Sequence, residues 1–375
     1  MKKYILIICL LTVLFIGCTI QPAPEVKKET QEPIKIGAVA PLTGDVAVMG
    51  LPVINAVELA VDGINAQGGI NGRQVQLIAE DGMCAGKEAT SAMQKLVNVD
   101  NVVGVIGGLC SAETLPMAGL AEETHTVIIS PSATSPAIKE AGDYVFRVVV
   151  SDSFQGEQGV LLANRLGYKK AATLYTNDEY GSALQQVFAD EFTDFGGEVV
   201  AQEAFEKSAK DFRTQLTKIK PLEPDVIYIV AFPKEAGVLL KQAKELGVDV
   251  QIIAAEGAFD SETIEVAGDS AEGLLVTIPK TLEDSPKYLA LKQAYNYAYD
   301  EDPGVYTGEA HDALNILAIA ITNSDGTKES IKDEVYKVKY DGISGRIEFD
   351  EFGEVITKTY AIKIVENGEF VDYKG

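Results

Sequence analysis

The sequence predicts an α/β fold of two doubly wound parallel-sheet lobes, on two observations. From residue 34 onward, short runs of near-continuous Val and Ile alternate with helical patterns, which is how strands covered on both faces of a parallel sheet read. The same order then recurs in a second stretch, so the chain divides into two domain-sized α/β units that are alike in pattern but share no close sequence repeat. A chain of 375 residues that is 46% hydrophobic has ample core for two domains.

The N-terminus stands apart from this alternation. Lys2 and Lys3 precede the apolar run YILIICLLTVLFI, then Gly17 and Cys18. A basic start with so short an apolar stretch predicts a secretory signal over residues 1–17, too short and wrongly flanked for a spanning helix. LFIGC at 14–18 resembles a bacterial-type lipobox, which implies that Cys18 is the lipid-modified first residue of the mature chain. Residues 18–33 are polar and proline-containing, the composition of a flexible tether. No later stretch is expected to reach the length and apolarity of a spanning helix.

In the first unit the strands are expected at 34–40, 75–80, 102–108 and 126–130. Helix faces between them run through Ala56, Leu59, Ala60 and Ile64, then through Ala89, Ala92, Met93 and Leu96. In the second unit the strands are expected at 171–175, 225–230, 250–254 and 273–277, with helices over 181–195, 210–219 and 234–246. The tail, RIEFDEFGEVITKTYAIKIV at 346–365, alternates around an acidic-glycine turn and predicts a terminal hairpin.

Charge and cysteine content bound the chemistry. With Lys2 and Lys3 removed, the 32 basic residues become 30 against 56 acidic, a net charge near −26. Such a surface repels phosphate backbones and argues against nucleic acid. Once Cys9 leaves with the signal and Cys18 takes the lipid, Cys84 and Cys110 remain. Two thiols in an exported protein most often pair, and a loop of that length stabilises by roughly 3 kcal/mol on the chain-entropy model. Zinc needs more ligands than these two, and no metal site is expected.

Ligands of open α/β sheets bind beyond the carboxyl ends of the strands, which directs attention to the strand-end loops. GGLCSAE places Ser111 after a strand, where its hydroxyl and nearby free amides suit a carboxylate. SPSATSP sets Ser132 and Thr134 between two prolines that stiffen the loop. Helix N-capping is the plainer role for each of these hydroxyls. Glu256 ends the apolar run VQIIAA, and a carboxylate there invites a cation, from a ligand or from a nearby lysine. Tyr180 and Phe232, also at strand ends, could form aromatic walls or simply pack. Carboxylate acceptors in one unit facing a carboxylate in the other fit a zwitterion.

Enzymatic readings find little support. The two histidines, His125 and His311, come with no nucleophile elbow or zinc spacing. GMCAGKE at 82–88 is one residue short for a phosphate loop and has Glu88 where Ser or Thr would hold magnesium. No enzyme activity and no cofactor are expected.

The blocks IKIGAVAPLTGDVAVMG, NAQGGINGRQVQLIAEDGMC, GGLCSAETLP, ISPSATSP and AGDSAEGLLVTIPK resemble the branched-chain amino-acid binding proteins. These are the Leu/Ile/Val-type solute receptors of ABC importers, in the periplasmic binding protein type 1 family. The resemblance runs from about residue 34 to the end and implies two lobes joined by three crossovers that close like a hinge. Crossovers are expected near 152, 279 and 341, giving one lobe from 34–152 and 280–341 and another from 153–279 and 342–375.

The resemblance also implies a Cys84–Cys110 disulfide. It implies that Ser111 and Thr134 take the ligand carboxylate, that Thr134 and the Ser132 carbonyl meet the ammonium, and that Glu256 is the ammonium's partner from the second lobe. Tyr180 falls on an aromatic of the site. Phe232 stands where tyrosine is frequent, and Met49 where an aromatic often covers the ligand side chain. The implied function is a monomeric receptor, lipid-anchored on the extracytoplasmic face of the cell membrane. It would pass a free amino acid, Leu, Ile or Val, to an ABC permease and its ATPase. Receptors of this fold for an amide, urea or another small acid, and ligand sensors, are the alternatives.

Overall fold

Val- and Ile-rich strands and helices with one apolar face fix the element order. The computed structural model describes residues 32–280, 282–357 and 359–375. The signal, Cys9, the Cys18 lipidation site and the tether as far as residue 31 lie outside the described residues. Residues 32–375 form one unit by their contacts.

The first sheet holds β1 (Ile34–Ala40), β2 (Val75–Asp81), β3 (Gly104–Gly107), β4 (Val127–Ser130) and β5 (Val145–Arg147), in the order β2-β1-β3-β4-β5 and parallel throughout. Helices α1 (Ala47–Ala66), α2 (Gly86–Lys95) and α3 (Ser111–Thr124) link the first four strands. After β5 the chain enters α4 (Asp152–Arg165), which packs on elements of the second sheet.

That sheet is built from β6 (Lys170–Thr176), α5 (Glu179–Asp194), β7 (Glu198–Phe205), α6 (Arg213–Ile219), β8 (Val226–Val230), α7 (Pro233–Glu245), β9 (Gln251–Ala254), α8 (Ser261–Ala267) and β10 (Leu275–Pro279). Helices α9 (Pro286–Tyr299), α10 (Thr307–Asn323) and α11 (Lys328–Lys337) then return to the first sheet, α10 lying on α1, β3 and β4. The ribbon of β11 (Lys339–Asp341) and β12 (Arg346–Glu348) follows. Finally β13 (Tyr360–Glu366) and β14 (Glu369–Asp372) complete the second sheet as β14-β13-β10-β9-β8-β6-β7. The chain therefore passes between two α/β lobes three times, as the predicted fold class requires.

The tail departs from expectation. DEFGE does turn, with Asp350 N donating to Glu354 O and a bridge between Phe349 and Val355, but no hairpin grows from it. β12 pairs backward with β11, and the terminal hairpin forms later, between β13 and β14 around residues 366–369. The third passage accordingly falls beyond 341, because Gly353 O accepts from Arg147 N and Glu354 pairs with the Arg147 side chain. The chain joins the second sheet only at Tyr360, beside the outgoing strand at Pro279.

Helix α1 is a second correction: its length of 20 residues and mean hydropathy of 1.5 meet the measure of a spanning helix. Its apolarity is used inside the protein instead. Met49, Val53, Val57 and Ala60 are buried, while Glu58 and Asp62 lie along the same helix. β5 and β7 were not anticipated, one being three residues long and the other a half-exposed edge.

Cys84 and Cys110 form the disulfide, with Cα atoms 5.4 Å apart. Glu113, fully buried, ties both ends of it, its oxygens accepting from Cys84 N at 2.9 Å and Cys110 N at 3.1 Å. For a separation of 26 residues, replacing both cysteines by serine is expected to cost about 3.5 kcal/mol. Urea unfolding, extrapolated to water with the slope fitted separately for wild type and variant, measures it.

Candidate functional site

The carboxyl ends of both sheets face one cleft. From the first lobe, β3 runs into Gly107 and Gly108. Gly107 has φ +129°, and a Cβ there would lie 2.1 Å from the Val39 carbonyl oxygen, so only glycine lets β3 end so close to β1. Cys110 caps α3 in extended conformation, which leaves Ser111 as the first helical residue.

The second loop is fastened to the first by hydroxyls. Ser130 Oγ donates to Gly108 O at 2.7 Å, and Ser132 Oγ donates to Leu109 O at 2.8 Å. Ser111 Oγ accepts from Ser135 N at 3.1 Å. Ser111 is thus no N-cap; its hydroxyl proton stays free to donate toward the cleft. Ser132 and Thr134 are buried in the same loop. Arg147, with no exposed surface, holds the loop from behind by donating to Ser135 O at 2.9 Å and Ala133 O at 3.3 Å.

From the second lobe come Tyr180 in the first turn of α5, Phe232 at the cap of α7, and Glu256 just after β9. The Tyr180 and Phe232 rings are 5.7 Å apart and tilted. Tyr180 OH accepts from Gly257 N at 3.3 Å. A side chain at 257 would meet Ala231 O at 2.7 Å and the Tyr180 hydroxyl, so glycine keeps this wall thin.

Glu256 is 3% exposed and its Oε2 has no hydrogen-bond partner. Burial pushes its carboxyl up to about 7, against the opposing pull of Gln155 and the hydroxyls of Tyr180 and Tyr306. All six residues expected at the site line one cleft, together with Met49, Leu109, Gly257 and Tyr306. Among the described residues, no Lys, Arg or His lines it. A buried carboxylate facing hydroxyls and amides, with no cation from the chain, is chemically incomplete without a cationic group.

Two larger openings lie elsewhere, one around Lys244, Asp249 and Gln251 and one around Phe259, Tyr288 and Glu309. The first opens at the amino ends of the strands, opposite the cleft. Among the described residues, the one buried, unpartnered polar side-chain atom along either is the Tyr306 hydroxyl, and Tyr306 lines the cleft as well. The histidines stand apart: His125 pairs with Glu329 on the surface and His311 with Asn315 on α10.

Sequence reasoning missed Tyr306. Tyr306 precedes α10 with φ 65°, far along the chain from the other lining residues, and nothing in GVYTGEA marks it.

Residues 33–369 match the family model described as periplasmic binding protein. The chain belongs to this family. A leucine-, isoleucine-, valine-, threonine- and alanine-binding protein of Pseudomonas aeruginosa is 31% identical over 325 residues, 86% of this chain and 87% of that one. The Leu/Ile/Val-binding protein of Escherichia coli K12 is 30% identical over 326 residues, 86% and 88% of the two chains. Among solved structures, a leucine-binding protein of Thermotoga maritima superposes with TM-score 0.85 at 29% identity, covering 91% of this chain and 97% of the other. A branched-chain amino-acid transporter substrate-binding protein of Streptococcus pneumoniae, solved with isoleucine, gives 0.82 at 30% identity, covering 90% and 97%.

Periplasmic binding proteins close by hinge motion around a ligand, and two lysines of the second lobe clasp the first here. Lys207 Nζ donates to Cys84 O at 2.6 Å and Met83 O at 3.1 Å, while Lys234 Nζ meets Asp45 Oδ1 at 2.6 Å. Met83 and Cys84 both have positive φ, which turns their carbonyls outward in succession. Lys207→Met removes these two bonds between the lobes, together with the cation over the Phe232 ring. It is expected to weaken ligand binding about tenfold without changing which ligands bind, as a lost charge-assisted bond of ~1.5 kcal/mol implies. Calorimetric titration of the variant checks it.

Proposed function

We propose that this periplasmic binding protein captures a free branched-chain amino acid between its lobes and delivers it to an ABC permease and its ATPase. The observation that carries the reading is Glu256, buried with an unpartnered oxygen across the cleft from Ser111 and Thr134. In this reading Ser111 and Thr134 hold the ligand carboxylate. Thr134, the Ser132 carbonyl and Glu256 hold its ammonium. Met49, Tyr180, Phe232 and Tyr306 receive the side chain, whose burial contributes about 1.5–3 kcal/mol. Binding is non-covalent. Cys18 carries the lipid that keeps the receptor at the extracytoplasmic face of the membrane, with the tether letting it reach the permease.

The relatives named for leucine, isoleucine and valine support the ligand class. The test is titration of the whole chain in detergent, stripped of ligand by unfolding and refolding, with each amino acid and with urea and short amides. Selective, tight binding of leucine, isoleucine or valine is expected. Binding of amides alone would refute the head-group assignment.

A further inference from the structure

Glu113 has no exposed surface, and both of its carboxylate oxygens are engaged. Oε2 accepts from Cys110 N at 3.1 Å, the ordinary return of a capping box at the start of α3. Oε1 does more than a cap requires, since it reaches Cys84 N, 29 residues away, at 2.9 Å. Two glycines make room for this reach. A Cβ at residue 82 would lie 2.2 Å from Glu113 Oε1, and one at residue 108 would lie 2.3 Å from Glu113 Cβ. Burial pushes the carboxyl up to about 7, against the amides of Cys110 and Cys84 and then the Lys207 cation. A capping glutamate at an exposed helix end carries no such desolvation cost.

Cys84 is gripped at both of its backbone groups. Its N donates to Glu113 within the first lobe, while its O accepts from Lys207 Nζ of the second lobe at 2.6 Å. Met83 O accepts from the same Nζ at 3.1 Å. The disulfide joins Cys84 to Cys110, which lines the cleft beside Ser111. Lys207 is partly buried and stands 5.9 Å from the centre of the Phe232 ring, another lining residue. Burial opposes its charge, and Asp178, Glu113, Glu235 and Asp45 favour it. Contacts therefore run unbroken from a lysine of one lobe, through Cys84 and Glu113, to the ligand loop of the other.

We propose that Glu113 is a positioning residue for ligand capture: by holding the Cys84 and Cys110 amides, it presents the Met83 and Cys84 carbonyls to Lys207 as the lobes close. It touches no ligand itself. A lysine meets a pre-set pair of acceptors at less cost than one that must be ordered at the moment of contact. Loss of the carboxylate therefore weakens closure, and with it affinity. The inference rests on the amino-acid reading above and deepens it, because the loop that Glu113 steadies is the one that carries Ser111.

The experiment titrates leucine calorimetrically into the whole chain in detergent, as wild type, Glu113→Gln, Lys207→Met and the double variant. Glutamine keeps the shape and one acceptor oxygen but sets its amide nitrogen against the other backbone N–H. Each single variant is expected to bind leucine about tenfold more weakly. The double variant should be at most about threefold weaker than either single one, since both residues act through one contact. A Glu113→Gln variant with unchanged affinity, or losses that multiply to about a hundredfold, overturns the inference and leaves Glu113 a residue of the fold alone. Should Glu113→Gln fail to fold, hydrogen exchange over residues 82–85 in the wild type and in Lys207→Met decides the matter with Glu113 intact. Saturating leucine is expected to slow that exchange about tenfold in the wild type and much less in the variant. Equal protection in the two overturns the inference. Tight leucine binding by the wild type with either adverse result leaves the amino-acid reading standing, whereas absence of binding to any amino acid overturns both.

Discussion

Glu256→Gln is expected to raise the dissociation constant for leucine by at least a hundredfold while leaving the empty protein as stable as wild type, or more so. The two halves have one cause. In the empty cleft the carboxylate is buried with an unpartnered oxygen, so neutralising it removes a desolvation cost, while the glutamine amide keeps an oxygen to accept from Gln155 and the hydroxyls of Tyr180 and Tyr306. In the loaded cleft the same group is the charge that answers the ammonium. Losing it leaves a buried cation short of its partner, worth about 3 kcal/mol or more. Thermal unfolding of the empty variant and calorimetric titration measure the halves separately. A variant both destabilised and defective in binding would point to a structural role for Glu256.

Arg147→Met is expected to destabilise the fold by about 3–5 kcal/mol, among the largest effects of any single change outside the cores. The guanidinium has no exposed surface, joins Glu354 of the returning segment, and donates to the carbonyls flanking Thr134. Methionine fills much of the volume but strands a mostly buried carboxylate and two buried carbonyls. Removing the stranded charge as well, in Arg147→Met with Glu354→Leu, should recover a substantial part of the loss. Urea unfolding of the single and double variants gives the cycle. Equal losses in both would mean that the carbonyl bonds, and not the ion pair, hold the loop.

What could be read from the chain alone follows from which forces are local. Buried parallel strands such as VIYIV at β8 announce themselves because both faces are covered, and their end loops locate Ser111, Thr134 and Glu256. β7 escaped because EVVAQEAF lies at the sheet edge, where half of its side chains meet water and the apolar run is broken. The terminal hairpin was misplaced for a related reason. The turn chemistry of DEFGE is real, but partners for β12 and β13 come from β11 and β10, and a local pattern does not encode such a choice.

Within the site, residues at strand ends were legible and those brought in by chain return were not. Tyr306 reaches the cleft only because α10 packs on α1. Helix α1 shows the converse hazard, since an apolar helix sandwiched in a core has the composition of one that crosses a membrane.

The most direct test of the zwitterion site compares leucine with its two halves, 4-methylpentanoate and 3-methylbutylamine, by titration of the ligand-stripped chain at pH 7.5. Both analogues keep the apolar side chain. With Ser111 and Thr134 answering the carboxylate and Glu256 the ammonium, each half should bind at least a hundredfold more weakly than leucine. If the deaminated acid binds as tightly as leucine, Glu256 does not face an ammonium and the zwitterion account is wrong.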